Sequence, residues 1–169
     1  MMKFTMYFLI AAFFNFSIGS IVFADSKVAE TPHSRFILND GEAFDQSTKL
    51  IWSRCSVGTT WQKGVGCVGS PVLMRIEEAE QFTRSLGGSW RVPTIEELCS
   101  IVERTRTSPA LNPEVFPDIK DVDGEAPYLS VSKVKEMPSL VYYVDFANGG
   151  IDGHSKGFPM YVRLVRNKQ

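Results

Sequence analysis

The sequence is short of cysteine, with three in 169 residues, and shorter still of histidine, with two. It contains no C-x-x-C pair, and neither His33 nor His154 lies near a cysteine in the chain, so the sequence argues against a zinc site of ordinary Cys/His spacing. Charge of one sign is also lacking: 18 Lys and Arg stand against 19 Asp and Glu, a net charge of −1. A dedicated nucleic-acid binder carries a basic excess, and this balance argues against one. No repeat, heptad or glycine period is visible, and there is a single long apolar run. Collagen, coiled coil and a multispanning membrane protein are therefore excluded. No Ser-His-Asp order and no paired catalytic carboxylates stand out, which argues against an enzyme.

The one apolar run covers residues 4–23, after the positive start Met1-Met2-Lys3 and before Val22-Phe23-Ala24. A charged start, an apolar middle and small residues at the −3 and −1 positions make a secretory signal, with cleavage expected between Ala24 and Asp25. The run is also long enough to span a bilayer if left uncleaved, which is the only membrane contact the sequence suggests. Thr5, Asn15, Ser17, Gly19 and Ser20 weaken that alternative. Cleavage removes Lys3 and no acid, so the net charge moves from −1 to −2, and six of the 12 phenylalanines leave with it. The chain then reads as a signal peptide over 1–24, a polar leader over 25–34, and one domain over 35–169 with room for a core. Its expected location is periplasmic or secreted.

Export makes disulfides admissible. Cys55 and Cys67 sit in a segment rich in glycine (Gly58, Gly64, Gly66, Gly69) that offers little apolar material to hold it. A bridge between them is expected, contributing about 3 kcal/mol by loop entropy. Cys99 falls on the helical stripe Ile95, Leu98, Cys99, Val102 and reads as a buried free thiol. A nucleophilic thiol needs a base beside it, and none is evident.

Local signals predict strands and two helices. Arg35 to Leu38 can be a strand, and Ala43-Phe44-Asp45 and Leu50-Ile51-Trp52 flank a polar turn as in a hairpin. Residues 55–69 read as a loop. Ile76, Ala79, Phe82 and Leu86 recur at helical spacing before Gly87-Gly88. Thr94 followed three residues later by Glu97 is a capping box, opening a helix expected to reach Arg104. Prolines 109, 113, 117 and 127 keep residues 105–127 loop-like. Within that stretch the acids Asp118, Asp121, Asp123 and Glu125 fail an EF-hand test, with Ile119 and Ser130 where ligands are needed. They read as a solvated acidic turn, with a looser calcium site at Asp118, Asp121 and Asp123 as the alternative; no metal and no other cofactor is expected. Extended runs follow at 128–131, 140–146 and 160–166, with Asn148-Gly149-Gly150 as a turn. The order is strands, two helices, strands: an α+β domain with helices packed on antiparallel strands and long loops.

Several motifs in the order in which they stand resemble one known family. Asp45 to Cys55 is similar to its "D-x-x-T-G-L-x-W-x-R-C" opening, and Ser56, Gly58, Trp61, Cys67 and Gly69 follow its "S-x-G-x-x-W … C-x-G" loop. Gly88-Ser89-Trp90-Arg91-Val92-Pro93-Thr94-Ile95-Glu96-Glu97-Leu98 matches "G-x-W-R-L-P-T-x-x-E-L". Leu111-Asn112-Pro113, Tyr142-Tyr143-Val144-Asp145 and Tyr161-Val162-Arg163-Leu164 match later segments. On these residues the chain is identified as resembling the Lcl C-terminal-like domain of exported bacterial proteins. The resemblance implies a C-type-lectin-like fold, distantly related to formylglycine-generating enzymes. It also points to a relative that is a surface adhesin for sulfated glycosaminoglycans, whose collagen-like stalk this sequence does not contain. Tyr128-Leu129-Ser130-Val131 departs from the commoner "Y-W-S-S", and Leu164 stands where many relatives have cysteine.

Together these readings point to an exported, non-catalytic binding module for a glycan, a sulfated polysaccharide in particular, or for an envelope protein. The alternatives are an envelope assembly subunit without its own ligand and, more remotely, an enzyme related to formylglycine-generating enzymes, whose thiol chemistry lacks its parts here. Lys133, Lys135, Lys156, Arg163, Arg166 and Lys168 form a late basic set suited to anionic ligands. Asn148, Asp152, His154 and Lys156, in a glycine-rich connection expected over 148–159, are candidate ligand contacts by analogy with lectin loops. Against this, burial accounts for Trp52, Trp61 and Trp90 better than sugar stacking. Arg91 and Arg163 equally suit the bracing of carboxylates such as Asp45 or Asp145.

Overall fold

A computed structural model describes residues 35–168; the signal segment 1–24 and the leader 25–34 lie outside the described residues. Among the described residues, nine strands and two helices form a mixed α+β fold with three antiparallel sheets. The first sheet has the order β1-β2-β3-β9, from β1 (Phe36–Asn39), β2 (Glu42–Asp45), β3 (Leu50–Ser56) and β9 (Arg163–Asn167). The expected β2–β3 hairpin is present, and Asp45 builds its turn. Its carboxylate accepts from the Ser47 N–H at 2.9 Å and the Thr48 hydroxyl at 2.8 Å, and Arg35 grips it from β1's start. Trp52 on β3 is wholly buried, edge-on to Phe116.

Residues 55–69 are more ordered than a loop. β4 (Thr59–Gln62) and β5 (Gly66–Gly69) form a hairpin, and the disulfide between Cys55 and Cys67 ties it to the end of β3. The first helix, α1 (Ile76–Leu86), ends at Gly87 with φ +70, in the left-handed region that glycine enters without a Cβ clash. The second, α2 (Ile95–Ser100), starts with the expected capping box: Thr94 Oγ1 accepts from the Glu97 N–H, and Glu97 accepts from the Thr94 N–H. It stops four residues short of Arg104. The Ile101 N–H bonds Leu98 and Cys99 carbonyls, a tightened last turn, and the Ile101 side chain goes into the core at 3 % exposure.

The third sheet is β6 (Pro127–Val134), β7 (Met137–Asp145) and β8 (Gly150–Ser155), in that order. β8 lies within the stretch expected as a long connection over 148–159; only the tight turn before it matches. Residues on the two faces of this sheet enter two cores. One joins Tyr128, Val144 and Phe146 to α2 (Leu98), the 105–127 segment (Leu111, Val115, Phe116) and the first sheet (Trp52, Val165). The other joins Leu129 and Val141 to α1 (Ile76, Ala79) and to Met160, Val162 and Leu164. The central sheet is thus packed on both faces, leaving β8 as an edge.

Candidate binding surfaces

The largest buried charge is Arg163, with no exposed surface. Nη2 donates to Asp118 Oδ1 at 2.7 Å and to Ser56 Oγ at 3.0 Å, and Nη1 donates to the carbonyls of Ser53 and Arg54. Its guanidinium carbon also lies 4.9 Å from the Phe116 ring centroid. Asp118 takes the Ser56 N–H and the Thr59 hydroxyl as well. Burial pushes the Asp118 carboxyl up, but the Arg163 charge and these donors outweigh it, and it sits below the usual range. Arg163 therefore braces a carboxylate in the core. It cannot reach an external anion, which corrects its place among the candidate contacts.

The bracing pattern recurs with different partners from those expected. Arg91 meets Glu97 with both terminal nitrogens, at 2.7 and 2.6 Å. Asp45 is held by Arg35. Asp145 is held without an arginine: its Oδ1 accepts the Ala126 and Ala147 N–H groups, and Oδ2 accepts from Asn148 Nδ2. Arg54 donates to the carbonyls of Asp40, Glu114 and Val115 and lies 3.9 Å from the Trp61 ring centroid. Trp52 is buried, whereas Trp61 and Trp90 are half-buried, each under an arginine (Arg54, Arg166).

The late basic set divides. Lys133 pairs with Val141 across the sheet, Lys135 follows in the β6–β7 turn, and the Lys156 N–H bonds Ser139 O, so these three share one end of the third sheet. None makes an ion pair among the described residues. Arg166 and Lys168 belong to the first sheet's strand β9 and its end. Arg166 pairs with Glu42 at 2.9 Å, and Lys168 Nζ lies over Phe44 at 4.3 Å.

The four connection residues act mostly on their own backbone. Asn148 is consumed by its turn, holding Asp145 and accepting the Gly150 N–H at 2.7 Å. On the β8 edge, Asp152 Oδ1 accepts the Gly153 N–H and His154 Nδ1 accepts the Ser155 N–H. An open edge exposes unpaired N–H groups, and these two side chains cover two of them. Asp152 is exposed and His154 half-buried; Asn148 is turned into the Asp145 knot.

What the sequence reading missed is an open, mostly apolar groove of about 640 Å³ where α2 meets the third sheet, lined by Ile95, Glu96, Cys99, Ser100, Tyr142 and Ile151. Cys99 is free and half-buried on this groove rather than sealed in the core. Burial pushes its thiol up, with the Glu96 charge adding to the shift and Arg104 opposing it, so it is protonated at neutral pH. Such a thiol is a poor nucleophile. Alternation along β7 was the available signal: Tyr142 and Tyr143 point to opposite faces.

Among the described residues, one group of His, Cys, Asp and Glu has metal-like spacing: Cys55, Cys67 and Asp118. Both its sulfurs are in the disulfide and its carboxylate holds Arg163, so it has no free ligand set. Asp121 is occupied with the Gly124 N–H.

No curated protein matches the chain. The family model of the Lcl C-terminal domain matches residues 41–166, from the turn before β2 to β9. That span carries the second core, all of the first but Phe36, the disulfide and the groove beside α2, and the chain belongs to the Lcl C-terminal domain family.

Proposed function

We propose that this is an exported, non-catalytic binding module on a C-type-lectin-like scaffold, recognising an anionic glycan of the sulfated polysaccharide class. The observation that carries the reading is the lysine end of the third sheet. Lys133 and Lys135 are exposed, Lys156 is half-buried, and all three are without ion pairs among the described residues. Glu136 is the one carboxylate in that turn. Flexible ammonium groups on a rigid hairpin suit sulfate as point charges, and their attraction is screened by salt. The ionisable side chains of the interior support the non-catalytic part: Arg163, Asp118, Asp45, Asp145 and Glu97 each hold backbone or a partner.

Heparin-affinity chromatography tests it. The protein is expected to be retained at low ionic strength and to elute earlier when Lys133, Lys135 and Lys156 are changed to Glu. Passage of the unaltered protein through the column at low salt rules the glycan out and leaves the assembly-subunit reading.

A further inference from the structure

A second surface, built from other residues than the lysine end, has the opposite character. Leu73, Val122 and Phe158 are 50 %, 48 % and 41 % exposed, large for apolar side chains, and they line one hollow of about 240 Å³ with Asp123 and Glu125 at its rim. No lysine or arginine lines it. The rim is built rather than slack: Val122 and Glu125 exchange backbone hydrogen bonds at 2.8 and 3.1 Å, and Asp121 Oδ1 takes the Gly124 N–H between them. Asp123 and Glu125 have no ion-pair partner among the described residues. The nearest arginine by contact is Arg75, which bonds Gly157 O and is neutralised by Glu78 at 3.0 Å. On the far side Phe158 stacks on His154, centroids 3.8 Å apart, and His154 shares its face of β8 with Asp152. Burial first, then the charges of Asp152, Glu125 and Asp145, push the Tyr143 hydroxyl above the usual tyrosine range.

We propose that this hollow docks a cationic, apolar segment of a partner protein, one side chain entering between Leu73, Val122 and Phe158 while a neighbouring Lys or Arg meets Asp123 and Glu125. Charge complementarity selects this occupant. An anionic polysaccharide is repelled by the two carboxylates, and Leu73, Val122 and Phe158 offer no charge or hydrogen bond to a sulfate. A second copy of this chain meeting it through the same face brings an acidic rim to an acidic rim. The inference is independent of the glycan reading, since it uses different side chains.

The test uses a labelled Lys-Leu repeat peptide of eight residues, with the matching Glu-Leu peptide as control, followed by fluorescence anisotropy with the purified protein. Expected is binding of the Lys-Leu peptide that weakens as salt rises, no binding of the Glu-Leu peptide, and a loss of about tenfold in Asp123→Asn/Glu125→Lys. Phe158→Ser is expected to weaken binding likewise. Asparagine tolerates the positive φ of position 123 (+56), and an unchanged melting curve and circular-dichroism spectrum show that the double variant is folded. No binding of the Lys-Leu peptide at low salt overturns the proposal. So does equal binding by the variants, or equal binding of the acidic peptide.

Discussion

Arg163 and Asp118 come from parts of the chain 45 residues apart and meet at 2.7 Å with the arginine fully buried. Asp118 also receives the Ser56 N–H, so one carboxylate joins β9, the end of β3 and the proline-rich segment. Removing one partner of a buried pair leaves the other charged and dry, at a cost of about 3–5 kcal/mol. Asp118→Ala is expected to lose that amount in urea unfolding. A loss below about 1 kcal/mol would show that water or another group replaces the carboxylate.

The same residue sets an acid limit. Its carboxyl is depressed in the folded chain, so the unfolded chain takes up the proton first as pH falls. The stability it contributes is complete above the unfolded pKa of about 3.9 and is lost as pH drops through the lower folded value. Asp45, where burial is likewise outweighed by Arg35, Thr48 and Ser47, acts with the same sign. Urea midpoints measured between pH 7 and pH 2.5 are expected to fall below about pH 4. Asp118→Asn is expected to flatten that fall; an unchanged pH slope contradicts the assignment.

The disulfide from β3 to β5 closes a separation of 12 residues around a hairpin with little core of its own. Changing Cys55 and Cys67 to Ser is expected to cost about 2–4 kcal/mol. Amide exchange is expected to rise in β4 and β5 ahead of the rest. Equal exchange across all three sheets would show that the hairpin is held by packing instead.

Cys99 offers a probe of the groove beside α2. Its thiol is half-buried and its pKa is raised, burial being the main cause. Iodoacetamide is expected to label it slowly in the native protein at pH 7 and faster as pH rises above 9, since the thiolate is the reactive form. Labelling that waits for denaturant at every pH would place the sulfur inside the core.

The legible parts of this fold were those whose cause lies within a few residues. Thr94 and Glu97 cap α2 by a rule that spans three positions, and Asp45 announces its hairpin in the same way. The bridge between Cys55 and Cys67 followed from an expectation of export and a glycine-rich segment. β8 was hidden because Gly-Ile-Asp-Gly-His-Ser has low strand propensity; pairing with β7 extends it. For Arg163 the bracing of a carboxylate was legible, and its partner was hidden for a different reason. A charged residue in a strand suggests a surface, and its partner Asp118 stands in a loop with no local mark. The groove and the acidic hollow are assembled from side chains of separate elements, and no window of sequence contains either.

The turn after β7 separates structural from exposed polar groups most sharply. Asn148 satisfies Asp145 and the Gly150 N–H together, while Asp152 and Lys156 bond only local backbone or nothing through their side chains. Asn148→Ala strands a buried carboxylate oxygen and is expected to cost about 1–3 kcal/mol. Gly149 next to it is more constrained: φ is +79, and an added Cβ meets Val102 Cγ1 at 2.9 Å. Gly149→Ala is expected to destabilise as much or more, from strain and overlap together. Replacing Asp152 and Lys156 by Ala touches no buried group and is expected to change stability by no more than about 0.5 kcal/mol each. Thermal or urea unfolding of the three variants distinguishes these roles. Equal stability of Asn148→Ala and the Asp152/Lys156 double variant would mean that the Asp145 knot is held by the Ala126 and Ala147 N–H groups alone, with Asn148 free to serve a ligand.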